Sequence, residues 1–338
     1  MTSSQITRAA LRDLPGNLQV AAILDLVQAC RAADGVTPLS EHVLLHLRYD
    51  GPGADSPGAD STGAPEPDGE PGQDFVLTVD GDLAGYAYLD PPTADPHSGT
   101  AEVSGELMIG PAHRRHGLGR ALAAAAAAAV DAEGGGYELR LWAHGDLPAA
   151  AALARAAGFE RFRALWQLRR RLSGSPGEPL APPALPAGRT LRTFVPGQDE
   201  DEWLALNARA FAKHPEQGGW TRHDLDLRER ESWFDPAGFF IADKDGVMTG
   251  FHWTKVHSPG LGEVYVVGVD PAEQGSGLGR ALTLAGLHHL RDRGVEQAML
   301  YVDEDNVPAI RMYEALGFTR ATVDAMYRRP DTSSPVTQ

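Results

Sequence analysis

Residues 274–282, "QGSGLGRAL", follow "GEVYVVGVDP" (262–271), and this junction decides how the chain is read. The β-branched run before it reads as a strand. Glycines at 275, 277 and 279 then leave backbone N–H groups uncovered where a helix begins. Such groups, at the positive end of the helix dipole, make a site for phosphate. No Lys-Ser/Thr pair follows, so the loop is not a P-loop. The spacing G-x-G-x-G, entered from hairpins, is not the dinucleotide fingerprint either.

Working outward, "DEWLALNARAF" (201–211) reads as an amphipathic helix, "HPEQGGW" (214–220) as a loop and "RHDLDLRERESW" (222–233) as a second helix. Strands follow at "FFIA", "GFHWTKVH" and "EVYVVGV", separated by turns at "DKDG" and "SPGLG". After the glycine loop come the helix "LGRALTLAGLHHLRDRG", the strand "QAMLYV", the helix "VPAIRMYEALG" and a last strand near "ATVDAMY". This order mixes hairpins with a crossover. It predicts an α/β fold with a mixed, mostly antiparallel sheet flanked by helices.

The same unit is written twice. "ELMIGPAHRRHGLGRAL" aligns with "VVGVDPAEQGSGLGRAL", setting Pro111 against Pro271 and Gly117 against Gly277, a constant offset of 160 positions (271 less 111). Downstream, "RAAGFERF" matches "EALGFTRA", with Gly158 against Gly317. The period is too long for a solenoid, so two similar domains are expected in tandem. They are expected at 1–171 and 189–338, joined by the Pro/Gly-rich linker 172–188. A second such run, 51–72, reads as a disordered insertion in the first domain. The alanines of "ALAAAAAAAV" form that domain's counterpart helix.

Bulk properties narrow the class of function. A chain of 338 residues can bury two cores, and its net charge of -16 argues against a nucleic-acid surface. No apolar run approaches the roughly 18 to 20 residues a membrane span needs, and the first residues lack a secretory pattern. Cys30 is the one cysteine, which fits a reducing cytoplasm. A monomer without metal is expected.

A strand ending in "VVGVDP", then Gln, then Gly-x-Gly at a helix start, resembles the acyl-CoA loop of the GCN5-related N-acetyltransferases. "DNVPAIRMYEALGF" (305–318) extends the resemblance, which covers both units. It implies that acetyl-CoA is the co-substrate. Its phosphates would lie on Gln274, Gly275, Ser276, Gly277, Leu278, Gly279 and Arg280, and its arm along Val267, Gly268 and Val269. Asn306, Val307, Pro308, Ala309, Ile310 and Arg311 would complete that site. In the first unit the corresponding positions are Leu107, Met108 and Ile109, then Arg115, His116, Gly117, Leu118, Gly119 and Arg120.

Acetyl transfer from a thioester to an amine needs a neutral amine, a stabilised oxyanion and a proton for the thiolate. Tyr313 matches the family position of the general acid, and Glu263, opening its strand, is the candidate base. Ala154, Leu147 and Val103 stand where Tyr313, Asn306 and Glu263 stand in the second unit. The first unit is therefore expected to bind acetyl-CoA or to buttress its neighbour, and not to turn over.

"AFAKHPEQGGWT", "GFHWTKVHSPGLGEVYVVGVDP", "LYVDEDNVPAIRMYEALGF" and "ADGVTPLSEHVL" carry a narrower resemblance. It is to tandem members of the same family that act on a small thiol-bearing sugar. It implies an acceptor whose cysteinyl amine is acetylated, contacted by Glu41, Glu216, Lys255, Glu263 and Tyr301. Acetylation of another small amine, of a protein, or acetyl-CoA sensing without turnover remain the alternatives. His214 and His252 lack metal-ligand spacing and read as polar packing.

Overall fold

Strands and helices fall where the two periodicities place them, and the computed structural model resolves them into two compact units. These are residues 1–164 with 323–338, and residues 165–322. The structure describes residues 3–330, apart from 16–17, 50–71, 95–100, 135, 173–179 and 259. All but one residue of the expected insertion, and residues 173–179 of the expected linker, lie outside the described residues. From Leu180 to Arg189 the chain forms neither helix nor strand.

The first unit runs β1 (Ser4–Arg8), α1 (Val20–Asp34), α2 (Glu41–Tyr49), β2 (Gln73–Val79), β3 (Asp82–Leu89), β4 (Thr93–Ala94), β5 (Ala101–Ile109), α3 (Leu118–Ala132), β6 (Glu138–Ala143) and α4 (Pro148–Ala156). β7 (Glu160–Arg171) leads onward to β8 (Thr190–Thr193), α5 (Glu200–Ala210), α6 (Pro215–Gly218) and α7 (Arg222–Glu229). The second unit continues through β9 (Phe239–Lys244), β10 (Val247–Ser258), β11 (Leu261–Val269), α8 (Leu278–Asp292), β12 (Gln297–Asp303), α9 (Val307–Ala315) and β13 (Thr319–Arg328).

In each unit the hairpins pair antiparallel, and one crossover helix delivers a parallel neighbour, β5 to β6 and β11 to β12. The expected mixed α/β sheet is therefore present. The unit bounds do not coincide with the Pro/Gly-rich segment. β12 pairs antiparallel with Leu165–Arg171 of β7, and β6 pairs with Ala325–Arg328 of β13. Ladder hydrogen bonds, rather than linker composition, set the division. Two further elements differ from expectation. "HPEQGGW" contains the short helix α6, and the strand β8 precedes α5.

The second unit has a different core on each face of its sheet. α8 presents Leu284, Leu287 and Leu290 to Val264, Ala298 and Leu300. The opposite face is aromatic, with Trp203, Phe239, Phe251 and Trp253 packed together and Phe239 stacked on Trp253 at 4.6 Å. Phe251, Trp253 and Lys255 alternate onto this aromatic face, as strand pleating requires.

His252, one residue out of phase, points at α8. Its Nδ1 donates to the Leu282 carbonyl at 2.7 Å. Burial pushes its pKa down to about 4, so the ring is neutral and packs as a polar core residue. Gly286 of α8 leaves the room for that ring, because a Cβ there would overlap it. Gly286→Ala is therefore expected to destabilise the fold by about 1–3 kcal/mol through overpacking, outweighing alanine's better helix propensity. A urea titration of the variant checks this; unchanged or greater stability would show that the ring moves freely.

In the first unit α1 and α2 cover one face through Ile23, Val27, Val43 and Leu47. α3 covers the other with Leu122, Ala123, Ala126 and Val130. Past the end of β6, His144 lies between two carboxylates, 3.0 Å from Asp324 and 3.6 Å from Glu106. Burial opposes its charge, but Asp324 and Glu106 outweigh that and push its pKa up to about 10. Because the folded value is raised above the ordinary imidazole value, the stabilisation is fully present below about pH 6.5. It is lost as pH rises toward about 10. His144→Leu would leave both carboxylates buried without their cation, at an expected cost of about 3–5 kcal/mol. The melting temperature of this variant against wild type at neutral pH measures the loss. Among the described residues no helix is long and apolar enough to cross a membrane.

Candidate active site

The glycine loop has the geometry its sequence implies. Gly275 and Gly277 adopt φ of 79° and 89°, left-handed values that glycine takes at no steric cost. Gly277 is the N-cap of α8 and has no side chain to cap it, the Ser276 hydroxyl accepts from the Leu278 N–H at 3.3 Å, and the first turn has no acidic residue. Open amides and an uncompensated dipole suit a polyanion such as the CoA pyrophosphate. The first unit repeats the shape with Gly117 at φ 79° as the N-cap of α3. Arg115, in the place of Gly275, holds φ 68° despite its side chain. Such a conformation costs a non-glycine residue roughly 1–2 kcal/mol.

The wedge between the parallel strands distinguishes the units. β11 and β12 pair at Leu261–Gln297, Gly262–Ala298 and Glu263–Met299, although both strands continue beyond. β5 and β6 stay paired through Glu106–Trp142, three pairs further in the aligned numbering. The second unit thus opens a longer gap beside β11. The Asp270 N–H donates to the Thr249 carbonyl at 2.9 Å, across to β10. Strand alternation then turns the Gly268 N–H the same way, and the N–H groups of Val267 and Val269 toward the gap. Of the three residues expected along the cofactor's arm, Gly268 therefore spends its amide on the sheet.

At the closed end of the gap, where β11 and β12 last pair, the β10–β11 ladder pairs Lys255 with Glu263, which places both on the aromatic face. A register shift beyond Trp253 leaves Tyr265 without an opposite residue and returns Tyr265 and Val266 to one side. Lys255 is 7% exposed, with its Nζ 4.1 Å from the centre of the Trp233 ring and 5.0 Å from that of Tyr265. Arg228 of α7 donates to the Tyr265 hydroxyl at 2.8 Å and lies over Trp220. Glu263 is 6% exposed, and its Oε2 lies 2.6 Å from Nε2 of His257. His257, Trp233, Tyr265 and Arg228 were not among the sequence candidates. Lys255 in "FHWTKVH" and Glu263 were the sequence signals for this wall.

Tyr313 lies inward on α9, 5% exposed, with its ring edge-on to Phe318 at 5.8 Å. Burial alone raises its pKa well above the ordinary phenol range, so it stays protonated at working pH. Asn306 caps α9, accepting from the Ala309 N–H at 3.2 Å, and the Ile310 N–H donates to the Asn306 carbonyl. Ile310 is a core side chain; Val307, Pro308 and Arg311 are exposed on the same helix. Tyr301 on β12 is 40% exposed and accepts from Gln167 at 2.8 Å. Glu216 lies on α6, and its side chain is outside the described residues. Glu41 opens α2 in the first unit. His214, on the loop after α5, lies 3.7 Å from Asp303. No group of three His, Cys, Asp or Glu among the described residues is placed to hold a metal.

In the first unit Leu107 and Ile109 pack toward α3, and Met108 toward α1. The Ile109 carbonyl accepts from Arg114, which also makes two 2.7 Å bonds to Asp34. Its loop residues Arg115, His116 and Arg120 are exposed.

Comparison with known proteins agrees with this geometry. The model of the acetyltransferase (GNAT) family matches residues 47–159 and again 202–318. The mycothiol acetyltransferase of Thermobispora bispora is 54% identical over 329 residues, spanning 95% of this chain and 99% of its own. That of Thermomonospora curvata is 51% identical over 92% of this chain and 94% of its own. A tandem GNAT protein from the clavulanic acid biosynthesis pathway has the same fold, with a TM-score of 0.68 at 24% identity over 96% of this chain and 98% of that one. With a phosphate cradle, a crossover helix and a family match in each half, the chain belongs to the acetyltransferase (GNAT) family and carries the domain twice.

Proposed function

We propose that the second unit transfers the acetyl group of acetyl-CoA to the cysteinyl amine of a cysteinyl-glucosaminyl-inositol, giving mycothiol and CoA. Identity of about half over nearly the full length to curated mycothiol acetyltransferases supports the substrate. The observation that carries the site is the buried Lys255–Glu263 pair where the β11–β12 pairing ends, at the closed end of a strand gap that opens along β11 toward the glycine loop before α8.

In this reading the loop from Gln274 to Arg280 holds the pyrophosphate, and the Val267 and Val269 amides hold the thioester oxygen as charge builds there. Glu263 takes the proton of the attacking amine. Tyr313, kept neutral by burial, gives its proton to the departing thiolate and regains one from solvent. Lys255, Glu216 and Tyr301 contact the acceptor's hydroxyls and amine. The first unit has Ala154 and Val103 at the acid and base positions and serves as a cofactor-binding or supporting domain.

Offering the chain acetyl-CoA with this acceptor, an aminoglycoside and a polyamine in separate reactions tests the substrate. Mass spectrometry is expected to find acetyl on the cysteinyl nitrogen of the first alone. Preferential acetylation of either other amine would replace the reading.

A further inference from the structure

The bond between His257 and Glu263 has a use that the acid–base pair leaves open. Glu263 is buried beside Lys255, with its side chain 8% exposed, so a proton taken from the amine needs a route out. Retained there, it would neutralise the base for the next turnover. His257 lies between that carboxylate and water, its side chain 30% exposed and its Nε2 2.6 Å from Oε2.

The local backbone is built for this contact. The ladder pairs Val256 with Gly262 and then Ser258 with Leu261, so His257 is an extra residue with no partner opposite. A bulge of this kind bends the strand and re-aims a side chain. Imidazole suits the task, because it is the side chain whose unperturbed titration falls between about pH 5 and 8.

We propose that His257 is a positioning residue that fixes the Glu263 carboxylate and carries its proton to solvent. This rests on the reading of Glu263 as the base. In the step, an N–H bond of the acceptor ammonium breaks as an O–H bond forms on Glu263. In its Nδ1–H tautomer His257 takes that proton from Oε2 on the Nε2 lone pair, and the imidazolium releases its Nδ1 proton to water. The Nε2–H so formed donates to the Glu263 carboxylate, and proton exchange of the ring nitrogens with water restores the Nδ1–H tautomer before the next turnover. The nitrogen lone pair left behind forms the new bond to the acetyl carbon. A second N–H proton is lost to water as the intermediate collapses and the C–S bond breaks. With one proton ending on the CoA thiolate, one net proton leaves for each amide made, and no oxidant or reductant is involved.

The test compares His257→Ala, His257→Gln and Glu263→Gln in the full chain with acetyl-CoA and cysteinyl-glucosaminyl-inositol, with and without added imidazole. Melting curves confirm folding. His257→Ala is expected to lower kcat about 10- to 100-fold while the KM for acetyl-CoA stays within twofold. Imidazole should restore its rate. His257→Gln should be as slow, since its amide can hold Glu263 but cannot accept a proton. Imidazole should leave Glu263→Gln unchanged.

Full activity in His257→Gln, or loss in His257→Ala without rescue, overturns the relay. Full activity in His257→Ala beside an impaired Glu263→Gln also overturns it, while the base reading stands. Full activity in all three overturns both.

Discussion

Replacing Tyr313 by phenylalanine is expected to lower kcat by about 10²- to 10⁴-fold, the range of a positioned general acid. The ring and its edge-on contact with Phe318 would survive, so the fold should lose little stability. Binding of acetyl-CoA should also persist, because the loop before α8 does not depend on the phenol. The signature is a fall in kcat with KM nearly unchanged, as for an interaction made in the transition state. Steady-state kinetics together with a melting curve check both halves. A variant with wild-type turnover would remove Tyr313 from the acid role and leave it a core residue of α9.

Glu263→Gln is expected to lower kcat/KM for the acceptor by about 10²-fold or more near neutral pH. The deficit should shrink as pH rises. An α-amine titrates near pH 8, so above that value the acceptor arrives neutral and needs no carboxylate to deprotonate it before attack. Below it the acceptor is an ammonium, and the missing carboxylate is felt fully. A pH–rate profile of wild type and variant from about pH 6.5 to 9.5 measures this convergence. Parallel profiles with a constant small gap would instead mean that Glu263 only binds the acceptor.

The cradle was legible in the sequence because its cause is local. Glycines at 275 and 277 and a glycine N-cap are fixed by neighbouring residues, and the repeat at 115–120 doubled the signal. The proposed acid, Tyr313, was picked out for the same reason, at a fixed distance from Gly317-Phe318. What stayed hidden depends on partners distant in sequence. Lys255 against Trp233, Arg228 against Tyr265 and the extra residue at His257 arise only when β10, β11 and α7 meet.

The strand order was hidden by the same kind of cause. Periodicity locates "ATVDAMY" as a strand, but nothing local says that its second half pairs with β6. The longer gap in the second unit is also a matter of register, two strands parting three pairs earlier than their counterparts. Conversely, Asn306 fits the pattern expected of a cofactor contact, yet its side chain caps α9.

The central claim is that this chain acetylates a cysteinyl amine using the second unit. Its most direct test is to mix the wild-type chain with acetyl-CoA and cysteinyl-glucosaminyl-inositol and follow free CoA thiol against acceptor consumed. The expected result is one CoA released per acceptor acetylated, abolished together by Tyr313→Phe and Glu263→Gln in one chain. No thiol release above background with the acceptor intact, or full turnover in that double variant, would contradict it.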